Sequence, residues 1–376
     1  MRIIERGMLA AGIAGTPRAT LTFPMLLALP DGGLLATYRT GSTKDCADET
    51  IELRRSADGG RTWSAPITPF DEPHAGLKLC YLTQAAPDRL LAAAMWVDHA
   101  AYPGAPLFNP QTEGCLPMAI LLAESPDAGH SWSAWRQITL PAELGPPSLT
   151  SPLVSLPDGT LVMSIESNKH YHDSNPWRQQ VVLFHSADGG ASWGSPYVAG
   201  ADPAGQIFNW DQRLAVAHDG RIGAFVWTFN REANRYHNIH RRVSSDGGKH
   251  WSVAEDLGFA DQPGRPTVLP DGGVVLPYVD RFGSCAIRIR YAPDLAAAFD
   301  PASDLVIYQH HSAAAGSADT TGAALADMGI WSFGLPFSLL LPDGDLLVAY
   351  YAGSGATLDI HWVRIRRDAG GVDENN

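Results

Sequence analysis

The stretch SADGGRTW, from Ser56 to Trp63, decides the fold. It returns as SPDAGHSW from Ser125 to Trp132, SADGGASW from Ser186 to Trp193 and SSDGGKHW from Ser244 to Trp251. Recurrence of one motif along a chain is the mark of a repeat architecture and outranks local propensity. Each copy follows a strand-like run such as TIELRRS or QVVLFHS, so it sits at a strand end. Its glycines supply the positive φ of a tight turn, while the Ser and Asp side chains bond the local backbone and the Trp packs on the same unit. The motif reads as structural.

A second series interleaves with the first: LPDGGLL at Leu29, APDRLL at Ala86, LPDGTLV at Leu156, AHDGRIG at Ala217, LPDGGVV at Leu269 and LPDGDLL at Leu341. These six copies are spaced on average about 62 residues apart, and each joins two short apolar runs in the manner of a hairpin turn. One repeat therefore reads as strand, Pro-Asp-Gly turn, strand, variable loop, strand, Ser-x-Asp-x-Gly turn, strand: a four-stranded antiparallel blade. Six such blades arranged radially leave only short, protected edges. The expectation is an all-β, six-bladed β-propeller filling residues 1–367 as one domain, with a polar tail at 368–376. The Ser-x-Asp-x-Gly motif decays in the last two repeats, to YAPDLAAAF at Tyr291 and HWVRIRRD at His361. The chain then stops after the third strand of the sixth repeat, so residues 2–9 are the natural donors of the missing strand and would close the ring. No helix is assigned; residues 313–327 read as a small-residue insertion, either loop or short helix.

Composition narrows the partners. With 45% apolar and 18% charged residues the chain can bury a substantial core, which excludes disorder. The formal charge of −13 repels phosphate backbones and anionic membrane surfaces, so neither nucleic acid nor membrane is an expected partner. Four cysteines without CxxC spacing read as buried free thiols. No run of 18 apolar residues and no signal-peptide pattern is read, and a soluble, cytoplasmic protein is the expectation.

The two repeat series together resemble the sialidase superfamily, whose Asp-box repeats mark six-bladed propellers. The likeness covers nearly the whole chain. In an antiparallel blade both turn types share one end, so the site belongs at the opposite end, where Thr22, Lys78, Asp98 and Tyr351 lie among the polar candidates. Family sialidases hold the substrate carboxylate with three arginines, the first in an Arg-Ile-Pro motif. Here that segment reads Thr22-Phe23-Pro24, and the arginine is gone. The resemblance implies a second arginine at Arg39, followed by an acid in TGSTKDCADET, at Asp45 or Asp48. It also places the carboxylate that assists the family's nucleophilic tyrosine at Asp211, and the tyrosine itself at Leu335. An ordinary sialidase is thus disfavoured, and another glycan, with an acidic or sialic-acid-like terminal sugar, is favoured.

Glycoside hydrolysis needs two carboxyl groups about the scissile bond. The catalytic candidates are Asp211, Asp45 and Glu166. Substrate contacts are expected from Arg39, Trp210 as a stacking surface, Arg213, Arg265, Asp280 and Arg281, and from His170 and Tyr171 in the loop after Glu166. No HExxH pattern supports a metal, and no Gly-rich phosphate loop or Gly-x-Ser-x-Gly elbow supports a nucleotide or α/β-hydrolase chemistry, so no cofactor is expected. The leading expectation is an exo-acting, sialidase-like glycoside hydrolase on an oligosaccharide. The alternatives are a lyase using Tyr171 or a histidine to abstract a proton beside a uronate carboxylate, and a non-catalytic glycan-binding propeller.

Overall fold

A computed structural model describes residues 1–70, 73, 75–311 and 321–367. The chain is built of antiparallel sheets, with one short 3-10 turn at Ala142–Leu144 and one helix, Thr321–Asp327, among the described residues. Its repeats follow the order strand, tight turn, strand, loop, strand. Leu77–Ala86, Arg89–Val97, Met118–Ser125 and Arg136–Gln137 form one four-stranded sheet. Ile207–Val216, Ile222–Asn230, His240–Ser244 and Glu255–Asp256 form another, with Arg235–Tyr236 added to it. In two further sheets the first strand is broken in two, into Ser148–Leu149 with Val154–Ser155 and into Gln262–Pro263 with Thr267–Val268.

The remaining strands form a seven-stranded sheet. One part is Phe333–Leu340, Leu346–Gly353 and Leu358–Arg366, with Arg2–Ala10 pairing antiparallel along the last of these from Arg2↔Arg366 to Ala10↔Ile360. The other part, Thr20–Ala28, Leu34–Gly41 and Thr50–Ser56, joins it only through the parallel pair Thr20↔Leu358. Three strands, rather than four, make up that part; its fourth position is a single bridge, Leu53↔Ile67.

The repeated turns show why the motif is spelled as it is. Ser186 Oγ accepts the Gly190 N–H at 2.7 Å and donates to Asp188 Oδ1 at 2.7 Å, and Asp188 accepts the Ser192 N–H at 2.9 Å. Trp63 and Trp251 donate their indole N–H to Gly60 O and Gly248 O. Gly60 has φ +87°, and a Cβ there would lie 2.6 Å from Leu347 Cδ2 in a neighbouring group of strands. The second motif glycine recurs in this role: Gly129 faces Leu35, Gly190 faces Leu91 and Gly248 faces Leu183, each on the preceding repeat. Glycine is required twice over, by conformation and by the close approach of the next unit.

Cysteines are all free; Cys80 and Cys115 are buried, whereas Cys46 and Cys285 keep partial exposure. Among the described residues no helix is long and apolar enough to cross a membrane. Helix Thr321–Asp327 takes up the end of the small-residue insertion, and the expectations for residues 312–320 and 368–376 lie outside the described residues.

Candidate active site

The first strand of each repeat bends where it begins. Phe23, Asp211 and Leu335 have φ of 51°, 49° and 48°, the left-handed region that L-residues avoid. Each lies in a bulge of the register, between Thr22 and Met25, Trp210 and Arg213, and Gly334 and Phe337. Bulges re-aim a side chain, and these three turn theirs toward one cavity of about 150 Å³. Lys78, at a fourth irregularity, and Thr150 and Gln262, beside the two broken strands, complete the first-strand contribution. The second strands add Arg39, Met95, Glu166, Trp227 and Tyr351, and Arg281 follows directly after its strand. Engineered cavities of roughly this size admit a benzene ring, so the space suits a single six-membered ring.

One wall is a cluster of charges. Arg39 Nη1 lies 2.8 Å from Glu49 Oε1 and 3.4 Å from Asp45 Oδ1. Lys78 Nζ contacts Asp45 Oδ1 and lies 3.4 Å from Glu49 Oε2. Asp45 keeps 27% side-chain exposure and lines the cavity. Burial opposes ionisation of its carboxyl, but Lys78 and Arg39 outweigh burial and hold it well below the usual carboxylate range. Glu49 is fully buried, and burial pushes its carboxyl up. Lys44 donates to Met328 O at 3.1 Å, to Trp331 O and to the Tyr351 hydroxyl at 3.1 Å. Burial, with Arg39 nearby, drives its ammonium well below the ordinary lysine value.

The opposite wall carries a carboxyl pair. Glu166 is buried, and Oε1 accepts both the Thr150 hydroxyl at 2.8 Å and the Gln212 N–H at 3.0 Å. Burial, reinforced by the negative charge of Asp211, pushes the Glu166 carboxyl up to about 8. Asp211 accepts from Gln262 Nε2 and pairs with Arg213 Nη2 at 3.6 Å. Gln262 in turn accepts from Arg281 Nη2 at 2.8 Å, and the Arg281 guanidinium stands 3.9 Å from the centre of the Trp331 ring. Behind them Asp261, buried against Arg281, is pushed up to about 6 by burial.

Of the residues expected from sequence, Asp45, Glu166, Asp211, Arg39, Trp210 and Arg281 line the cavity. Arg213 lies beneath it, donating to the Tyr81 hydroxyl at 2.9 Å and to Thr150 O. Trp210 offers little face for stacking a sugar, because it is 5% exposed and its ring is stacked on Phe229 at 5.0 Å. Four residues lie elsewhere. Arg265 turns away toward Thr267 and Ser338. Asp280 spends its carboxylate on its own turn, accepting from Gly283 N, Ser284 N and Ser284 Oγ. Tyr171 is buried, with its hydroxyl on Pro106 O and its ring stacked on Tyr102 at 4.9 Å, and His170 beside it is exposed. Neither lines the cavity, so the proton-abstracting role considered for Tyr171 has no place there.

Sequence reasoning passed over Lys44, Glu49, Gln262 and the Trp177, Trp227 and Trp331 rings. Lys44, Glu49 and Trp177 sit in loops and Trp331 in the segment after residue 320, which carry no repeat signal, whereas Trp227 and Gln262 lie on strands, at ends that face the site. Among the described residues no group of three His, Cys, Asp or Glu side chains is arranged to hold a metal ion.

No family model and no curated sequence matches the chain. Solved structures do. A Dyadobacter fermentans protein of unknown function is similar at 19% identity and a TM-score of 0.74, with 97% of this chain and 99% of that one covered. A Penicillium chrysogenum α-L-arabinanase complexed with arabinobiose is similar at 16% identity and a TM-score of 0.65, covering 96% and 98%. An intramolecular trans-sialidase from Ruminococcus gnavus gives 12% identity and a TM-score of 0.62, covering 92% and 94%. The chain shares the sialidase-like propeller fold of these proteins.

Proposed function

We propose that residues 1–367 form a single six-bladed propeller, its ring closed where Arg2–Ala10 pairs with Leu358–Arg366, that hydrolyses the terminal sugar of an acidic oligosaccharide. The stacking of each turn glycine on the preceding repeat, including Gly60 on Leu347, supports the ring. The observation that carries the chemistry is the pair Glu166 and Asp211 in one cavity, in environments that separate their roles. A carboxyl kept protonated by burial is a general acid at neutral pH. Glu166 gives its proton to the leaving-group oxygen as the glycosidic bond breaks. Asp211 serves the opposite side of the sugar, either forming a covalent bond to the anomeric carbon or taking a proton from the attacking water.

The charge wall supports an acidic sugar. Arg39 and Lys78 each contact both Asp45 and Glu49, and the burial that pushes the Glu49 carboxyl up weakens its hold on the two cations. A substrate carboxylate is attracted there by the same charges that hold Asp45. The neighbours named above as an arabinanase and a trans-sialidase are consistent with a glycan ligand. The test is digestion of a glycan panel followed by mass spectrometry, with Asp211→Asn run in parallel. Release of a terminal acidic monosaccharide by the wild type and not by the variant is expected; equal cleavage by both removes Asp211 from the mechanism. Binding without cleavage of any glycan by the wild type leaves a binding propeller instead.

A further inference from the structure

A second cavity, of about 380 Å³, lies further along the same first strands, toward the Pro-Asp-Gly turns. All six repeats line it, through residues such as Leu26, Leu82, Leu153, Leu214, Thr267 and Phe337. It is a central channel, separate from the candidate active site. No aspartate or glutamate lines it, but one arginine does: Arg265.

The Arg265 side chain is placed without a counter-charge. Nη1 donates to Ser338 O at 3.1 Å and to Thr267 Oγ1 at 3.3 Å, and the guanidinium stands 5.1 Å from the centre of the Phe337 ring. Nε and Nη2 find no acceptor and no carboxylate pairs with Arg265 among the described residues. The other polar groups around it are spent: Thr267 and Ser338 bond to each other, Thr83 donates to Leu153 O, and His218 Nε2 meets Leu269 O. Arg265 is half-buried and lines the channel; an arginine cannot discharge itself at any ordinary pH, so its guanidinium stays a cation there, in a channel that offers it no carboxylate. Burial alone lowers its affinity for the proton, to about 10, which agrees with the missing counter-charge.

The geometry points to an inorganic-anion site on the channel, in which Arg265 Nε and Nη2 hold a halide or a small oxyanion. The ligand needs no catalytic chemistry and the site stands independently of the glycosidase reading.

Crystals of the full chain soaked in sodium bromide, and separately in sodium phosphate, test the site directly. A bromine anomalous peak or a phosphate density beside Arg265 Nε and Nη2 supports it and identifies the anion class. In solution, melting temperature is compared in sodium chloride, sodium phosphate and sodium gluconate at equal ionic strength. A rise of about 3 °C, growing with the logarithm of anion concentration, is expected at a hundredfold excess of anion over Kd. Arg265→Met should lose this rise, and Arg265→Lys should keep part of it. Absence of either anion from the channel of the wild type overturns the proposal, as does an equal anion response in Arg265→Met. If the methionine variant does not fold, the wild-type soaks decide alone.

Discussion

Replacing Glu166 by glutamine separates stability from chemistry. The native carboxyl rises from an ordinary 4.5 to about 8 through burial and the nearby Asp211 charge. A raised carboxyl stabilises the fold only while protonated. Between about pH 4.5 and 8 the unfolded chain has released a proton that the native state retains, so stability falls by about 1.4 kcal/mol per pH unit. The accumulated loss is about 3 kcal/mol at pH 7 and about 4 kcal/mol at pH 8. Glutamine has the shape of the protonated acid, and its carbonyl can accept the same Thr150 and Gln212 donors. Glu166→Gln should therefore melt near the wild type at pH 4.5 and about 4 °C above it at pH 7, with the gap growing to pH 8. Loss of the general acid should at the same time reduce glycan cleavage by about 10²- to 10⁴-fold. Thermal unfolding of both proteins across pH 4.5–8.5, with turnover measured beside it, checks both halves. A variant whose stability tracks the wild type at every pH would show that Glu166 is not held protonated, and the assignment of the acid would fall.

Lys78→Met leaves Asp45 and Glu49 short of a buried cation, and should cost about 3–5 kcal/mol in denaturant unfolding. Adding Asp45→Asn to it should recover part of that loss; no recovery would mean the pair is not coupled. Ser186→Ala leaves the Gly190 N–H without its acceptor and should cost about 1–3 kcal/mol by the same assay. Asp58 and Asp127 are lowered to about 2, chiefly by the hydroxyls of Thr62 and Ser131. Their contribution is present above about pH 4 and is lost as pH falls toward 2, so melting temperature should fall over that window and fall less in Asp58→Asn.

The repeat was legible because its turns are made by local chemistry: Ser186, Asp188 and Gly190 satisfy one another within five residues, and any sequence that does so four times announces itself. The pairing partner of residues 2–9 was legible for a different reason, since a repeat short of one strand leaves one place for a spare one. The site was legible only as a face. Asp211, Arg39 and Glu166 could be placed by their distance from a turn, and Asp45 by the family resemblance, but Arg265 and Asp280 satisfied the same count and point elsewhere. What separates them is a bulge at Trp210 and a broken strand after Pro263, backbone events with no spelling of their own. His170 and Tyr171 looked chemical because their side chains are reactive, whereas packing on Tyr102 and Pro106 gives Tyr171 a wholly structural use. The aromatic wall was hidden because Trp331 reaches the cavity from beyond an insertion that no periodicity describes.

The pairing of Arg2–Ala10 with Leu358–Arg366 imposes an order on biosynthesis. Arg2–Ala10 leaves the ribosome about 350 residues ahead of its partner. At roughly 5–20 residues per second this is a wait of about 20–70 s. Throughout it Arg2–Ala10 must stay out of other sheets, and the rest of the chain can assemble only around a gap. Glu5 and Arg6 interrupt its apolar character, as charges on a waiting edge should. A bulky fusion placed ahead of Arg2 would then act late, on the final seam, rather than on the sheets already made.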